Sequence, residues 1–273
     1  MVKTELHVHS TFSDGELKPA EVLHHAREAG VGILAFTDHD EIGAYHAALE
    51  KAEQFEIKLI PGIELNTDGE DGELHILGYF FDPNHPKMLS HIKWRKEERT
   101  EWTKKIIARL RELQYEISFD DVKKFAKGDI IVRTHIGQAL CEKGYFPTAQ
   151  EAYESLLVKG KMAFVQRAKF SAKDAIDLVH ACGGEAYLAH PGAYRFEVHG
   201  EKLLEYGLDG VEVYHSKHSE EDVKKWSQFA KKHQLYISGG SDHHGPESRN
   251  PYPVGSVQLD AESLLHFRER VGR

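Results

Sequence analysis

The order of segments predicts an α/β protein built on parallel strands, in an open sheet or a closed barrel, interrupted once by a helical insertion. Three observations predict it. Strand-like and helix-like periodicities alternate at both ends of the chain. The alternation stops between about Lys87 and Lys161, where the pattern is mostly helical. Metal-capable side chains recur where the strands should end, which is where βα folds build their sites.

Taken in order, Thr4 to His9 reads as a strand. Pro19 to Ala29 reads as a helix, with Pro early, Val22, Leu23 and Ala26 on one face, and Gly30 as the stop. Ile33 to Phe36 is a short buried strand and Gly43 to Phe55 a second helix. Leu59 to Leu65 and Leu74 to Phe81 are two further strands. The acidic loop Asp68 to Glu73 lacks EF-hand spacing and reads as a solvated turn. Within the insertion, helices are expected over Lys93 to Leu113, Ile131 to Lys143 and Ala149 to Leu157, with Trp94 and Trp102 in the insert's core. Ser171-Ala-Lys-Asp174 has the form of a capping box and leads a helix that stops at Gly183-Gly184. Strands follow at Ala186 to Ala189, Gly210 to Tyr214 and Tyr236 to Ser238, with a helix over Ser219 to His233 before the last.

A chain of 273 residues can bury one large core, with or without an inserted subdomain. At 40% apolar and 29% charged it has the composition of a water-soluble protein, and no apolar run is long enough to span a bilayer. The start of the chain shows no signal-peptide apolar region. Two cysteines, Cys141 and Cys182, are too few for a disulfide framework, so a cytoplasmic setting is expected. The formal charge of -9 argues against a broad basic surface for nucleic acid, so any attraction for phosphate has to be local. No membrane and no obligate protein partner is implied.

There are 19 histidines, and position has to select among them. His7 and His9 end the first strand, Asp38 and His39 the second, and Glu64 the third; His75 lies on the fourth. His190, Asp242 and His244 follow later strands. Residues i and i+2 share a face of a strand, so both imidazoles of His7-x-His9 can reach one ion. Imidazole with carboxylate suits zinc, manganese or iron, and a carboxylate can bridge two ions.

The segments His7-Val-His-Ser-Thr-Phe-Ser-Asp14-Gly15, Phe36-Thr-Asp-His39-Asp40, Pro61-Gly-Ile-Glu64, Leu74-His75-Ile-Leu-Gly78, Ala189-His190-Pro191 and Gly240-Ser-Asp242-His-His244-Gly245 resemble, in order, the motifs of the PHP (polymerase and histidinol phosphatase) superfamily. The resemblance implies a distorted barrel of seven βα units over residues 1–86 and 162–273. Residues 87–161 leave after the His75 strand and return before the His190 strand, so this insertion is expected to start and finish near the metal-bearing end and to form a helical lid over it. The resemblance also implies three divalent ions, manganese before zinc or iron. His7, His9, Glu64 and Asp242 would hold the first, Glu64, His75 and His190 the second, and Asp14, His39 and His244 the third. Glu64, Asp14 and His39 would then serve catalysis by a metal-activated hydroxide. His243 is set aside as a neighbour of the ligands, and Asp38 as an orienting group.

The stretch Ile131-Val-Arg133-Thr134-His135-Ile136-Gly-Gln-Ala-Leu140 is similar to a motif of a subgroup acting on nucleotide 3′,5′-bisphosphates and on the 5′ ends of short oligoribonucleotides. It departs from that motif at Val132 and Thr134. The resemblance implies a nucleotide, or short RNA, as substrate. Arg133 suits a phosphate clamp because guanidinium pairs bidentately and keeps its charge. His135 adds a second donor, Tyr214 stacks a base, and His215 and His218 line the pocket, with His218 a candidate proton donor. The rival readings are a histidinol phosphatase of the same fold and a non-catalytic metal-binding accessory protein.

Overall fold

A computed structural model describes residues 3–272. The first half runs β1 (Lys3–Val8), α1 (Pro19–Glu28), β2 (Val31–Phe36), α2 (Gly43–Gln54), β3 (Lys58–Leu59), β4 (Gly62–Asn66) and β5 (His75–Tyr79). The insertion carries α3 (Pro86–Glu112), α4 (Phe119–Lys123), α5 (Arg133–Glu142) and α6 (Ala149–Ala152), the last continuing as a wider π-type turn over Tyr153–Leu157. Then come α7 (Ala172–Ala181), β6 (Glu185–Leu188), α8 (Gly200–Glu205), β7 (Gly210–His215), α9 (Glu220–His233), β8 (Tyr236–Gly240) and α10 (Ala261–Val271).

The strands form two sheets, β1-β2-β3 and β4-β5-β6-β7-β8. Single bridges join them at both seams, Val8 to His243 and His39 to Glu64. Gly240 makes the first seam possible: a Cβ there would lie 2.4 Å from the His7 amide nitrogen. The expected strand Leu59 to Leu65 divides at Ile60-Pro61. Proline offers no N–H to a ladder, so β3 stays with β2 and β4 opens the second sheet.

The expectation of uniformly parallel strands needs a correction. β5 runs antiparallel to both β4 and β6. The link between β4 and β5 is a short loop with no helix, and only an antiparallel neighbour can be reached that way. The reversal has a consequence for the site. His75 opens β5, so it lies beside the closing residues of its neighbours, Asn66 and Leu188.

The same reversal corrects the route of the insertion. The chain leaves β5 at Tyr79, the end far from His75, and α3 has to run back along the molecule. Its 27 residues span about 40 Å. Its first turns belong to the sheet's apolar core, where Met88 and Ile92 meet Phe81, Phe170 and Ile176, with Trp94 packed alongside. Its last turns belong to a separate core of Trp102, Ile106, Ile107, Leu110, Ile136, Leu140 and Leu157. Trp94 and Trp102 therefore serve different cores. The capping box formed as read: Ser171 Oγ accepts the Asp174 N–H, and Asp174 accepts the Ser171 N–H at 2.8 Å. A further helix that the pattern did not reveal, α10, places Phe267 against Tyr79 and Tyr187, at the end of the sheets opposite His75 and His190.

Candidate metal centre

His7, His9, Asp14, His39, Glu64, His75, His190, Asp242 and His244 all gather at one end of the strands. The Glu64 carboxylate sits at the centre. Its Oε2 lies 3.4 Å from His7 Nε2, 3.1 Å from His9 Nε2 and 3.0 Å from His39 Nδ1. Its Oε1 lies 2.7 Å from His75 Nδ1 and 3.0 Å from His190 Nε2. Asp242 Oδ1 is 3.3 Å from the Nε2 atoms of both His7 and His9. Asp14 reaches His244 Nε2 at 3.3 Å and His39 Nε2 at 3.9 Å.

These spacings fit divalent ions. Donors about 2.1 Å from one ion, at tetrahedral or octahedral angles, lie about 3.0–3.4 Å apart. The donor atoms are also unsatisfied. Nε2 of His7, His9 and His244 and Nδ1 of His39 are buried without a hydrogen-bond partner, a costly state for polar atoms that need one. Two residues follow their strands with left-handed backbone, His190 at φ 31° and Asp242 at φ 53°. Strain of this kind collects at functional positions.

Burial favours neutral forms at every group here, and the charged partners overcome it at some groups but not at others. Burial lowers His7 and His9, but the surrounding carboxylates carry both well above the usual histidine value. Burial raises Asp14, Glu64 and Asp242, but the imidazoles hold all three well below the usual carboxylate range. Burial dominates at His39, which falls well below its ordinary value, and at His190, lowered to about 4.

The supporting groups were only partly legible. Asp38, expected to orient a ligand, accepts from Ser10 Oγ at 2.8 Å and Ser13 Oγ at 2.6 Å, and its carboxylate makes no direct hydrogen bond to a proposed ligand. Glu212 was missed. It accepts the His7 Nδ1–H at 2.9 Å and the His190 backbone N–H at 2.8 Å, which leaves His7 Nε2 turned toward Glu64 and Asp242. Arg99 was also missed. From α3 it donates to Asp40 and, at 2.6 Å, to Asn66 Oδ1, while Asn66 Nδ2 lies 2.7 Å from His75 Nε2.

The expected substrate residues separate into two groups. Arg133, with Trp102, Tyr153, Arg99, Arg167 and Arg249, lines a cavity that opens on Asp14, His39 and His75. Arg133 is paired with Glu73, so the acidic loop is not wholly a solvated turn. His135 is buried in the first turn of α5, where it accepts the Val132 N–H, and burial lowers it to about 4. Tyr214 and His218 fall outside this group. Simple alternation would turn Tyr214 to the same side as Glu212, but two residues of β7 oppose one of β8 between Glu212 and Tyr214. A bulge of this kind re-aims side chains. His215 turns to Asp242 Oδ2 at 3.4 Å instead, and Tyr214 donates to Asp260 beside a different cavity. His218 has both ring nitrogens occupied by backbone, donating to Val213 O and accepting from Gly192 N, so it has no free nitrogen for a leaving group. His215 Nδ1 accepts from the Lys217 N–H, and its Nε2, buried without a hydrogen-bond partner, joins His7 and Asp242 in a group that could hold a metal ion.

A buried imidazole–carboxylate cluster at the strand ends of a mixed α/β fold, with spacings that fit divalent ions, defines a metal-dependent hydrolase. The chain belongs to the PHP domain family, whose model matches residues 5–206, and it is a metal-dependent phosphoric-ester hydrolase. It is 34% identical to the 5′-3′ exoribonuclease Rnm of Escherichia coli, over 89% of this chain and 85% of that one. It is 32% identical to a 3′,5′-nucleoside bisphosphate phosphatase of Chromobacterium violaceum, over 90% and 88%. A crystal structure from Bifidobacterium adolescentis, assigned as a metal-dependent phosphoesterase, superposes with a TM-score of 0.87 at 28% identity, over 100% and 99% of the two chains. No helix among the described residues is long and apolar enough to cross a membrane.

Proposed function

We propose that this hydrolase acts on nucleotide phosphate esters: 3′,5′-bisphosphates and the 5′ ends of short oligoribonucleotides. The observation that carries the reading is the cavity beside the metal cluster, lined by Arg99, Arg133, Arg167 and Arg249. A second phosphate needs cations of its own, and guanidinium is the side chain best matched to it. Each of the four stands against a carboxylate, Asp40, Glu73, Glu98 or Asp14, and histidinol phosphate, with one phosphate and a cationic amine, has no second anion to exchange for one of them.

In this reading three divalent ions bind, with manganese preferred over zinc or iron. His7, His9, Glu64 and Asp242 hold the first, Glu64, His75 and His190 the second, and Asp14, His39 and His244 the third. The grouping is supported by the two oxygens of Glu64, which face different imidazoles, and by the unsatisfied nitrogens that point between them. Bound ions supply an acidified water as nucleophile and positive charge against the phosphate oxygens. Glu64, Asp14 and His39 orient that centre. Arg133 takes the second phosphate in exchange for Glu73, while Trp102 and Tyr153 wall the cavity and exclude solvent from the reacting ester.

Residues 87–161 act as the lid in this scheme, and residues 1–86 and 162–273 as the catalytic domain. The separate apolar core that begins at Trp102 supports a lid, with the first turns of α3 anchoring it in the core of the catalytic domain, and the share of the cavity wall that the insertion supplies supports it too. The two sheets then act as parts of a distorted seven-unit barrel, joined at the Val8–His243 and His39–Glu64 bridges. The unpaired thiols of Cys141 and Cys182 suit a reducing cytoplasm. The test is a substrate panel on manganese-loaded protein: adenosine 3′,5′-bisphosphate, nucleoside monophosphates, histidinol phosphate and 5′-phosphorylated short RNA. The bisphosphate should exceed the monophosphates and histidinol phosphate by tenfold or more in kcat/KM, on the order of one charge-assisted contact. A preference for histidinol phosphate would overturn the reading.

A further inference from the structure

The metal cluster is approached from two sides. One approach is the arginine-lined cavity on the His39 and His75 side. The other is a separate groove of about 730 Å³ on the Asp14 and His244 side. The first turn of α5 divides them. Arg133 faces the cavity, His135 faces the groove, and Thr134 touches both; Asp14 and Arg249 form the opposite rim of the junction. A phosphate monoester has one organic substituent on phosphorus and needs one pocket. Two openings on either side of a single cluster suit a phosphodiester.

The groove has the lining of a nucleotide-chain site. Lys127 projects from the insertion, and its ammonium donates only to a neutral acceptor, the Glu16 carbonyl, at 2.8 Å. Phe125 presents a half-buried ring, and Gln138 and Gln150 add amides. The groove also holds the carboxylates of Glu16 and Glu247. Lys124 is committed to Glu142 and Arg249 stands 3.6 Å from Asp14, whereas Lys127 has no carboxylate partner among the described residues. The loop that carries Lys127 is packed against the β1–α1 connection: a Cβ on Gly128 would lie 2.7 Å from the Thr11 carbonyl oxygen. The groove wall is thereby fixed relative to Asp14.

Resting on the nucleotide-ester reading above, we infer that this groove holds the leaving strand of an oligoribonucleotide. The 5′-terminal nucleotide sets its 5′-phosphate in the arginine cavity, whose space of about 100 Å³ takes a phosphate rather than a whole nucleotide. Its 3′-phosphate lies at the cluster, and the chain continues from that phosphate's O5′ ester into the groove. Water adds to phosphorus and the P–O3′ bond breaks. The proton goes to O3′ and the phosphate leaves on the shortened strand. A 3′,5′-bisphosphate is the shortest member of this series: the same bond breaks, inorganic phosphate leaves, and the groove stays empty.

Lys127→Ala and Phe125→Leu test this on the manganese-loaded full chain, with a 5′-phosphorylated ribotetranucleotide and adenosine 3′,5′-bisphosphate as paired substrates. Each variant should lose about tenfold in kcat/KM on the tetranucleotide and less than twofold on the bisphosphate. Lys127→Ala should also flatten the salt dependence of tetranucleotide KM by about 0.7 in the log–log slope, the value of one single-strand phosphate contact, and Lys127→Arg should restore it. A variant that merely loosened the fold would lower both substrates together and leave the slope alone. Variants with unchanged tetranucleotide kinetics would overturn the groove assignment alone, and wild-type protein that cleaves the bisphosphate but not the tetranucleotide would overturn it together with the oligoribonucleotide half of the reading above. Wild-type protein that cleaves neither would overturn the nucleotide reading beneath it as well.

Discussion

Glu212 holds His7 from behind: its two oxygens lie 2.9 and 3.1 Å from His7 Nδ1, and both side chains are fully buried. The same carboxylate accepts the His190 N–H, so one residue of β7 orients two proposed ligands from other strands. Partners of this kind typically govern metal affinity by ten- to a hundredfold. Glu212→Gln keeps an acceptor and should retain metal with affinity lowered by about tenfold. Glu212→Ala leaves His7 unpartnered and should lose metal more severely, measured by metal content after dialysis and by titration calorimetry. Equal affinity in wild type and both variants would remove Glu212 from the site.

Glu64 is predicted to be the most damaging single loss. Its two oxygens face His7, His9 and His39 on one side and His75 and His190 on the other. Glu64→Gln should lower the metal content by more than one ion per chain and reduce kcat on every substrate. Asp14→Asn, on the edge of the cluster, should lower it by no more than one. If Glu64→Gln keeps the full metal complement and rate, the bridging role is wrong.

What the sequence revealed and what it hid follow from the range of the interactions. Most of the proposed ligands were legible because they fall at or just past the end of a short apolar run, and a strand delivers its ends to one rim of a sheet; Asp14, six residues beyond β1, was carried by the resemblance alone. His75 reaches the cluster by a route the sequence did not show: a short loop reverses β5, so the start of this strand lies where its neighbours' strands end. Tyr214 was misplaced because a bulge depends on how β7 pairs with β8, and alternation within β7 does not show that. Arg99 was hidden among the many charges of α3, most of which are solvated; only its packing against Asp40 and Asn66 distinguishes it. Glu212 follows an apolar strand pattern and differs from a surface residue only in what lies behind it.

His135 gives a dependence on pH that stands apart from catalysis. It is only 4% exposed, and burial lowers it from 6.5 to about 4 in the folded protein. The fold therefore accommodates the neutral ring. Below about pH 6.5 the unfolded chain takes up a proton that the folded chain refuses, so stability falls from there down to about pH 4. The full loss is about 3 kcal/mol, with about 1 kcal/mol gone by pH 5.5. Gln in the same place can still accept the Val132 N–H as a capping residue but does not titrate. Urea denaturation at pH 7 and pH 5.5 should show a smaller drop for His135→Gln than for wild type. Identical drops in the two proteins would assign the acid sensitivity to other groups.

Arg133 should decide between substrates with one phosphate and substrates with two. Its guanidinium is held by Glu73 and the Leu157 carbonyl, with Trp102 and Tyr153 beneath it at 5.8 and 5.5 Å. It is thus preorganised at the cavity wall, and a phosphate that displaces Glu73 exchanges one anion for a stronger one. Loss of one charge-assisted contact costs about 1.5–3 kcal/mol, or about ten- to a hundredfold in kcat/KM. Arg133→Ala should impose that loss on adenosine 3′,5′-bisphosphate and only a slight one on p-nitrophenyl phosphate. Glu73→Gln is the converse probe. It removes the competing anion and should leave bisphosphate turnover intact or lower its KM. Equal losses for Arg133→Ala on both substrates would place the guanidinium on the reacting phosphate or in the fold itself. An unchanged rate on both would remove it from substrate binding and return weight to a histidinol phosphatase.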